Sequence, residues 1–265
     1  DIWPTLPDGA KLIETPGVAV NSRDEVFIFS RNVEHPVMVF DRGGNFLRGF
    51  GSGSFSDRTH GILIGPDDAV YCVDDGIHTI TKFTPGGKLI MTIGESGKSS
   101  EIWKGDPFNR PTHAAVSKHS GDIFITDGYG NFRVHKYTAT GEYVKSWGGP
   151  GIDPGQFLRP HNIAVDDQDR VIVADREAHR VQVFDVDGNV LDVWNNIFMP
   201  NGLTIGHDGN IYIGELPGMT NVDPTPPNHG HNITVMSPKG ERLARIGDEE
   251  EGENPGQFIA PHGIG

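Results

Sequence analysis

The stretch HNIAVDDQDRVIVADREAHRVQVFDVDGNVLDVW, residues 161–194, decides the fold of this chain. It contains four short apolar runs that are rich in Val, Ile and Phe and alternate with polar residues, a pattern typical of β-strands. The last two runs flank Asp187-Gly188, a pair that tolerates positive φ and favours a tight turn. The stretch therefore predicts a unit of four consecutive strands.

Similar units recur along the chain. One aromatic or methionine position repeats at intervals of 43 to 54 residues, at Phe40, Phe83, Tyr137, Phe184 and Met236. Four-stranded units at about this period are the signature of a β-propeller, in which radial closure leaves few open sheet edges. We therefore predict an all-β fold, with residues 1–265 forming a single β-propeller domain.

The repeat predicts six blades, of which the sixth is incomplete. The blades start near residues 16, 60, 112, 161, 201 and 262. The last start is followed by HGIG, which is four residues where a blade needs about thirty-five. Residues 1–14 are long enough to add one closing strand but not three. We expect the native chain to continue past Gly265.

Composition narrows the classes of function. The chain holds 22 Lys and Arg against 36 Asp and Glu, a net charge of −14. This acidity argues against a nucleic-acid partner, because binding phosphates requires a basic face, and it suits cationic partners such as metal ions. No apolar stretch approaches the length of a membrane span. The single cysteine, Cys72, excludes internal disulfides and a cysteine-based zinc site.

Two sets of equivalent positions are expected at one mouth of the central channel. The first strand of a propeller blade lines the channel and the second runs back antiparallel to it, so the start of the first strand and the end of the second lie on the same face. The first set contains Pro16, His60, Thr112, His161, Asn201 and His262. The second set contains Arg31, Asp74-Asp75, Asp127-Gly128-Tyr129, Asp175-Arg176 and Glu215.

Three histidines of the first set predict a metal site. His60, His161 and His262 fall in blades two, four and six, and each is 101 residues from the next. Alternate blades of a six-fold ring place them at the corners of a triangle about the axis. A single histidine at a strand start is more often a hydrogen-bonded channel residue. Three at equivalent positions favour zinc, because three imidazoles with an open fourth position are the ligands of a catalytic zinc site.

Arg31, Arg176 and Tyr129 of the second set are candidate catalytic residues. Two guanidinium groups that face a bound substrate would hold a carboxylate bidentately, although an arginine here can also pair with acidic residues of the rim. Tyr129 stands between two glycines in DGYGN. A phenol beside a metal ion and an arginine loses its proton more easily than in water, so Tyr129 is a candidate general base. Packing between blades is the alternative role for its ring.

Five motifs carry a resemblance to a known family: GVAV…FSR, HGILI, DGYGNFRVHKYTATGEYVKSWG, PGQFLRPHNIAV…VADREAHRVQVF and APHGI. They are similar to motifs of the peptidyl-α-hydroxyglycine α-amidating lyases, which are six-bladed propellers of the NHL-repeat type. The resemblance covers the chain from Pro16 to the end. It implies cleavage of a peptidyl-α-hydroxyglycine to a peptide amide and glyoxylate. It also implies zinc on the three histidines, a catalytic Tyr129, and substrate contacts from Arg31 and Arg176.

The same resemblance implies a structural calcium ion. In the family, backbone carbonyls near Val18 and Ile62 and an aspartate directly after the third histidine bind this ion. The position after the third histidine is Gly263 in this chain. A calcium site here would therefore lack its carboxylate.

The sequence leaves three functions open. The first is a zinc-dependent lyase that acts on a small molecule or peptide bearing a carboxylate. The second is a metal-dependent propeller hydrolase such as a lactonase, whose calcium is held by Glu, Asn and Asp around the axis. The third is a non-catalytic NHL scaffold that binds a protein. A metal analysis separates them, since zinc indicates the first, calcium alone the second and no metal the third.

Overall fold

Twenty β-strands form five four-stranded sheets in the residues that the computed structural model describes, which are 3–104, 108–217, 230–248 and 250–265. Blade one contains β1 (Gly17–Val20), β2 (Val26–Phe29), β3 (Val37–Phe40) and β4 (Phe46–Phe50). Blade two contains β5 (Thr59–Ile64), β6 (Val70–Asp74), β7 (Thr79–Phe83) and β8 (Leu89–Ile93). Blade three contains β9 (His113–Val116), β10 (Ile123–Asp127), β11 (Arg133–Tyr137) and β12 (Tyr143–Gly148).

Blades four and five continue the pattern. Blade four contains β13 (Pro160–Val165), β14 (Val171–Asp175), β15 (Arg180–Phe184) and β16 (Val190–Trp194), with a short 3-10 helix, Arg176–Ala178, between β14 and β15. Blade five contains β17 (Pro200–Ile205), β18 (Ile211–Glu215), β19 (Asn232–Met236) and β20 (Arg242–Ile246).

Every blade is an antiparallel meander whose strands pair in chain order. The recurring aromatic or methionine position ends the third strand in all five blades. Gly188 has a φ of 84°, as the predicted turn after β15 requires. The all-β propeller prediction is therefore confirmed.

The core lies between neighbouring blades. The second and third strands are almost wholly buried, whereas the fourth strands alternate or are exposed. Between blades one and two, the ring of Phe55 packs at 5.0 Å from that of Phe29 and at 5.9 Å from that of Phe83. Fully burying an aromatic side chain of this size stabilises a fold by about 1.5–3 kcal/mol. Face-to-face packing of the blades thus sets the ring that positions the channel.

The prediction of six blades is corrected to five blades. After β20, residues 261–265 run extended between β17 and β1. The carbonyl oxygen of Pro261 lies against Gly214 and that of His262 lies against Gly202, while Gly263 lies against Gly17. These residues occupy the innermost position of a sixth blade but pair in no sheet among the described residues, because a sheet requires a hydrogen-bonded neighbouring strand.

Residues 3–14 cover the free face of blade one instead of adding a strand to a sixth blade. Leu6 and Leu12 pack against a cluster that contains Met38 and Phe40. Thr5 forms an isolated bridge with Asn45. In the described part of the chain, no helix is long and apolar enough to cross a membrane.

Candidate active site

Three histidines converge at one mouth of the channel. His60 lies in β5, His161 lies in β13, and His262 lies in the extended C-terminal segment. Each pair of imidazole centroids is 4.9 Å apart, and one nitrogen from each ring lies within 4.8 Å of the others. Among the residues that the structure describes, this is the one group of three or more side chains that could hold a metal ion. The predicted convergence of the three histidines is therefore present.

Backbone carbonyl groups fix the orientation of all three imidazoles. Each Nδ1 lies 2.7–3.1 Å from the carbonyl oxygen of the first-set residue in the next blade: Thr112 for His60, Asn201 for His161 and Pro16 for His262. A carbonyl oxygen can only accept, so each Nδ1 carries the proton and donates it. Each Nε2 is therefore left with a free lone pair, which is the form of histidine that binds metals.

The environment keeps these imidazoles neutral. Burial lowers the pKa of His60 well below its usual range, and the neighbouring His262 lowers it further. Burial and the positive charge of Arg176 act in the same direction on the pKa of His161. Burial also lowers the pKa of His262. Neutral imidazoles at neutral pH are ready to bind a metal ion without first losing a proton.

Tyr129 reaches into the group from the loop after β10. Its hydroxyl oxygen lies 2.9 Å from Nε2 of His60 and 3.0 Å from Nε2 of His161. The hydroxyl has one proton, so it can donate to one of these lone pairs, and the other contact then joins two acceptors. A cation among these atoms removes that conflict. Three neutral imidazoles beside a phenol oxygen fit zinc, which prefers nitrogen ligands and an open fourth position.

Arg176 and Arg31 both lie at this mouth. Arg176 donates from Nη1 to Oδ1 of Asn201 at 3.1 Å and pairs with Glu177 at 2.9 Å. Arg31 pairs with Glu14 and lies near enough to His262 for its charge to lower the pKa of that histidine. Each arginine therefore lies at this mouth and has an acidic partner, Glu14 or Glu177, which is the pairing considered from sequence.

Most carboxylates of the second set do not face the channel, which corrects the expectation that they line the mouth. Their side chains are fully buried and accept hydrogen bonds from the loop that leads into their own blade. Asp74 accepts from Ser56 N at 2.6 Å, and Asp175 accepts from Arg159 N at 2.8 Å. Asp127 and Glu215 are also buried and engaged, by Asn109 N and Thr234 Oγ1. Burying a carboxylate requires such partners, so these residues anchor loops.

Three arginines of the mouth were missed from sequence. They stand two residues before the first-set position in consecutive blades: Arg58, Arg110 and Arg159. The carbonyl groups of all three accept a backbone N–H from the second-set residue of the same blade, which holds the loop beside the channel. The signal was the repeated pattern Arg-x-His or Arg-x-Thr. The guanidinium of Arg110 lies 4.7 Å from the Tyr129 ring centre, and that of Arg159 lies 5.4 Å from it.

Several buried polar atoms around the mouth lack a partner among the described residues. They are Oγ1 of Thr59, Nε of Arg159 and Nδ2 of Asn201. Buried polar atoms in folded proteins are nearly always hydrogen-bonded, to water or a ligand where no protein group serves. Their position beside the histidines marks this mouth as a place that holds polar groups.

The residues present do not fit the calcium ion that the family resemblance implies. Gly263 supplies no carboxylate at the position where the family has its aspartate. A calcium ion here would have only backbone carbonyls from the chain, whereas calcium sites use carboxylate oxygens among their six to eight ligands.

The repeat itself is recognised by comparison with known families. The NHL repeat family matches residues 157–184, which run from the loop before β13 to the end of β15. The chain contains an NHL repeat. Phe157, the first residue of this NHL repeat, is fully buried and packs at 5.7 Å from Phe184. This contact shows why the segment before each blade is part of the repeat.

Two relatives of this chain carry names of different kinds, one that states its repeats and one that states a reaction. Human NHL repeat-containing protein 3 is 34% identical over 197 residues, which are 70% of this chain and 56% of the relative. Peptidyl-alpha-hydroxyglycine alpha-amidating lyase 1 of Drosophila melanogaster is 30% identical over 230 residues, which are 80% of this chain and 41% of the relative. The chain thus spans about half the length of these relatives.

Solved structures support the fold. A streptogramin B lyase superimposes with a TM-score of 0.64 and 16% identity, covering 87% of this chain and 67% of the other. At this level of identity the likeness concerns the propeller architecture and not the reaction.

Proposed function

We propose that the protein is a zinc-dependent lyase that cleaves an N-acyl-α-hydroxyglycine to an amide and glyoxylate. The observation that carries the proposal is the set of three imidazoles whose Nδ1 atoms are held by backbone carbonyls, with the Tyr129 hydroxyl oxygen against Nε2 of two of them. Relatives named as amidating lyases support the choice of reaction. The arginines at the same mouth support a substrate that bears a carboxylate.

His60, His161 and His262 would hold the zinc ion, since their Nδ1 atoms are already fixed by backbone carbonyls. When bound, zinc supplies Lewis-acid polarisation of a substrate oxygen. The chain's own residues do the remaining work. Arg31 and Arg176 hold the glycine carboxylate in this proposal, because both lie beside the histidines: Nε of Arg31 is 3.5 Å from the carbonyl oxygen of Thr59, the residue before His60, and the Arg176 guanidinium is 5.9 Å from the Tyr129 ring centre.

Tyr129 moves the proton in the proposed reaction. Its hydroxyl first gives up its own proton to the solvent of the open mouth, and its oxygen then takes the proton of the substrate α-hydroxyl. The C–O bond becomes a carbonyl as the C–N bond breaks, and the bonding pair leaves with nitrogen. Tyr129 then returns the proton to that nitrogen, so the products are the amide and glyoxylate and no co-reactant is needed. The guanidinium groups beside its ring are placed to stabilise negative charge there.

The two alternatives find less support at this site. A lactonase-type calcium needs carboxylates about the axis, whereas Asp74, Asp127 and Asp175 are engaged with loops and Glu215 accepts from Thr234 of β19. A non-catalytic scaffold needs no metal, and human NHL repeat-containing protein 3 is named for its repeats and not for a reaction. A scaffold leaves the common orientation of three imidazoles without a role.

Glyoxylate release tests the proposal. The zinc-loaded wild type should release glyoxylate from N-acyl-α-hydroxyglycines, and His161→Ala should not. His119→Ala is the matched control, because His119 is an exposed histidine distant in sequence from the three ligands. A wild type that loads zinc but releases no glyoxylate from any such substrate would contradict the proposed reaction. If metal-free His161→Ala released glyoxylate at the wild-type rate, the proposed role of the metal would be contradicted.

A further inference from the structure

Two of the three arginines that stand before the first-set position share one buried carboxylate. Arg58 donates to Asp75 through Nε at 2.7 Å and through an Nη2 at 2.9 Å, and Arg110 donates from Nη2 at 2.9 Å. The Asp75 side chain is 0% exposed, whereas those of Arg58 and Arg110 are 44% and 41% exposed. A buried acid thus orients two guanidinium groups whose other edges meet solvent in the channel mouth.

The pair has fewer hydrogen-bonded carboxylates than guanidinium groups. Two guanidinium groups share the buried Asp75, and the further carboxylate that raises the pKa of Arg58 is that of Asp57, whose side chain is exposed to solvent. Among the described residues, no acceptor is recorded for Nη1 of Arg58 or for Nε and Nη1 of Arg110. Guanidinium donors in this state bind carboxylates and phosphates well, because the fork geometry matches two oxygens.

The pair also lies next to the proposed reaction centre. The Arg110 guanidinium stacks 4.7 Å from the Tyr129 ring centre, and the hydroxyl of the same ring touches His60 and His161. The length of one tyrosine side chain therefore separates the free donors from the histidines. Arg110 itself adopts φ of 64°, a conformation that side chains other than glycine seldom take, and its loop is held there by the bond from Tyr129 N.

We propose that Arg58 and Arg110 form a second anion subsite, which selects substrates whose acyl part carries a carboxylate. The inference rests on the proposed function, since it assigns the α-carboxylate to Arg31 and Arg176 and the second carboxylate to this pair. The acyl part of a substrate held at the histidines extends outward through the mouth, past Tyr129. The preferred substrate class is thus a dianionic N-acyl-α-hydroxyglycine.

Matched substrates test the subsite. N-succinyl-α-hydroxyglycine and N-butanoyl-α-hydroxyglycine have acyl chains of equal length and differ in the second carboxylate. The wild type should prefer the succinyl compound by about tenfold in kcat/KM, the size of one charge-assisted hydrogen bond at a half-exposed site. In Arg110→Gln the two substrates should have about equal kcat/KM values, so the preference for the succinyl compound should disappear. Asp75 keeps its bidentate partner Arg58 in this variant, so the loop stays anchored.

Two controls complete the kinetic test. Arg42→Gln removes the same charge from a side chain that is 89% exposed on blade one, and it should keep the wild-type preference. Arg110→Lys keeps the charge and should retain part of the preference. An Arg110→Gln enzyme that still prefers the succinyl compound as strongly as the wild type would overturn the subsite.

A binding measurement separates this inference from the proposed reaction. Calorimetric titration of the zinc-loaded protein with pimelate and with heptanoate needs no turnover. Pimelate should bind about tenfold more tightly than heptanoate to the wild type and equally to Arg110→Gln. Equal binding of both acids by the wild type would overturn the subsite even in an active enzyme. An Arg110-dependent preference in a protein that releases no glyoxylate would uphold the subsite and reject the reaction.

Discussion

The Tyr129 hydroxyl oxygen lies 2.9 Å from Nε2 of His60. The contact joins two blades, because His60 opens blade two and Tyr129 follows the second strand of blade three. It depends on the tautomer of His60, whose Nδ1 donates to the Thr112 carbonyl at the start of that same third blade. Blade packing thus sets both the free lone pair and the hydroxyl that meets it.

Replacing Tyr129 by phenylalanine tests the hydroxyl as the proton carrier. Tyr129→Phe should keep the fold and the zinc content, since it removes one oxygen and no metal-ligating nitrogen. Glyoxylate release should fall by about 10²–10⁴, as expected for a positioned acid–base group. Tyr143→Phe, in the exposed strand β12, is the control and should keep the wild-type rate. A Tyr129→Phe enzyme within about twofold of the wild type would remove this residue from the mechanism.

Replacing Arg31 by alanine separates substrate binding from stability. The Arg31 side chain is 29% exposed and its partner Glu14 is 73% exposed, so the ion pair should contribute at most about 1 kcal/mol to the free energy of unfolding. Arg31→Ala should therefore raise KM for carboxylate-bearing substrates while urea unfolding changes little. Arg42→Ala serves as the exposed-arginine control. Unfolding of Arg31→Ala with loss of metal would show that Arg31 is structural.

Replacing Asp74, in contrast to Arg31, should lower the stability of the fold. Its buried carboxylate accepts from Ser56 N at 2.6 Å, Ser56 Oγ at 2.7 Å and Gly76 N at 2.8 Å. Removing it leaves these donors buried without a partner, so Asp74→Ala should lower the free energy of unfolding by about 2–4 kcal/mol. Denaturant titration at neutral pH measures this loss. The control is Asp167→Ala, which removes a carboxylate that is 85% exposed, and equal stability of the two variants would contradict the loop-anchor role.

The ion pair of Glu25 should make the free energy of unfolding depend on pH. A side-chain hydrogen bond from Arg48 lowers the pKa of Glu25 from 4.5 to about 2. Because the folded-state pKa is the lower one, the interaction contributes fully above pH 4.5 and is lost as the pH falls to about 2. Glu25→Gln should thus be less stable than the wild type near neutral pH, and the difference in unfolding free energy should shrink on acidification. A difference that is constant with pH would contradict the assignment.

Sequence periodicity was sufficient to predict the strands of the five blades and the convergence of the three histidines. The position of Phe40, Phe83 and their equivalents repeats because each blade needs a large apolar residue at the end of its third strand. The spacing of 101 residues places His60, His161 and His262 around the channel axis, because equivalent positions of the blades meet at the channel. Both results follow from the repeat.

Contacts made across blades were beyond the reach of the repeat. The number of blades was wrong because a periodic pattern cannot show whether residues 261–265 pair with a neighbouring strand. The acidic positions Asp74 and Asp175 looked like channel residues, but their carboxylates turn toward loop N–H groups, which depends on side-chain direction. The sequence did not predict that Arg110 lies beside Tyr129, because this position depends on the loop conformation, in which Arg110 has a φ of 64°.

The location of bound zinc is the most direct test of the proposed metal site. Diffraction from crystals of the zinc-loaded protein, recorded on both sides of the zinc absorption edge, places the metal independently of the reaction. We expect one anomalous peak per chain, about 2.0–2.1 Å from Nε2 of each of the three histidines. The peak should be absent in His161→Ala. A peak at any other place, or none in crystals of a zinc-loaded wild type, would contradict the claim that His60, His161 and His262 form one metal site.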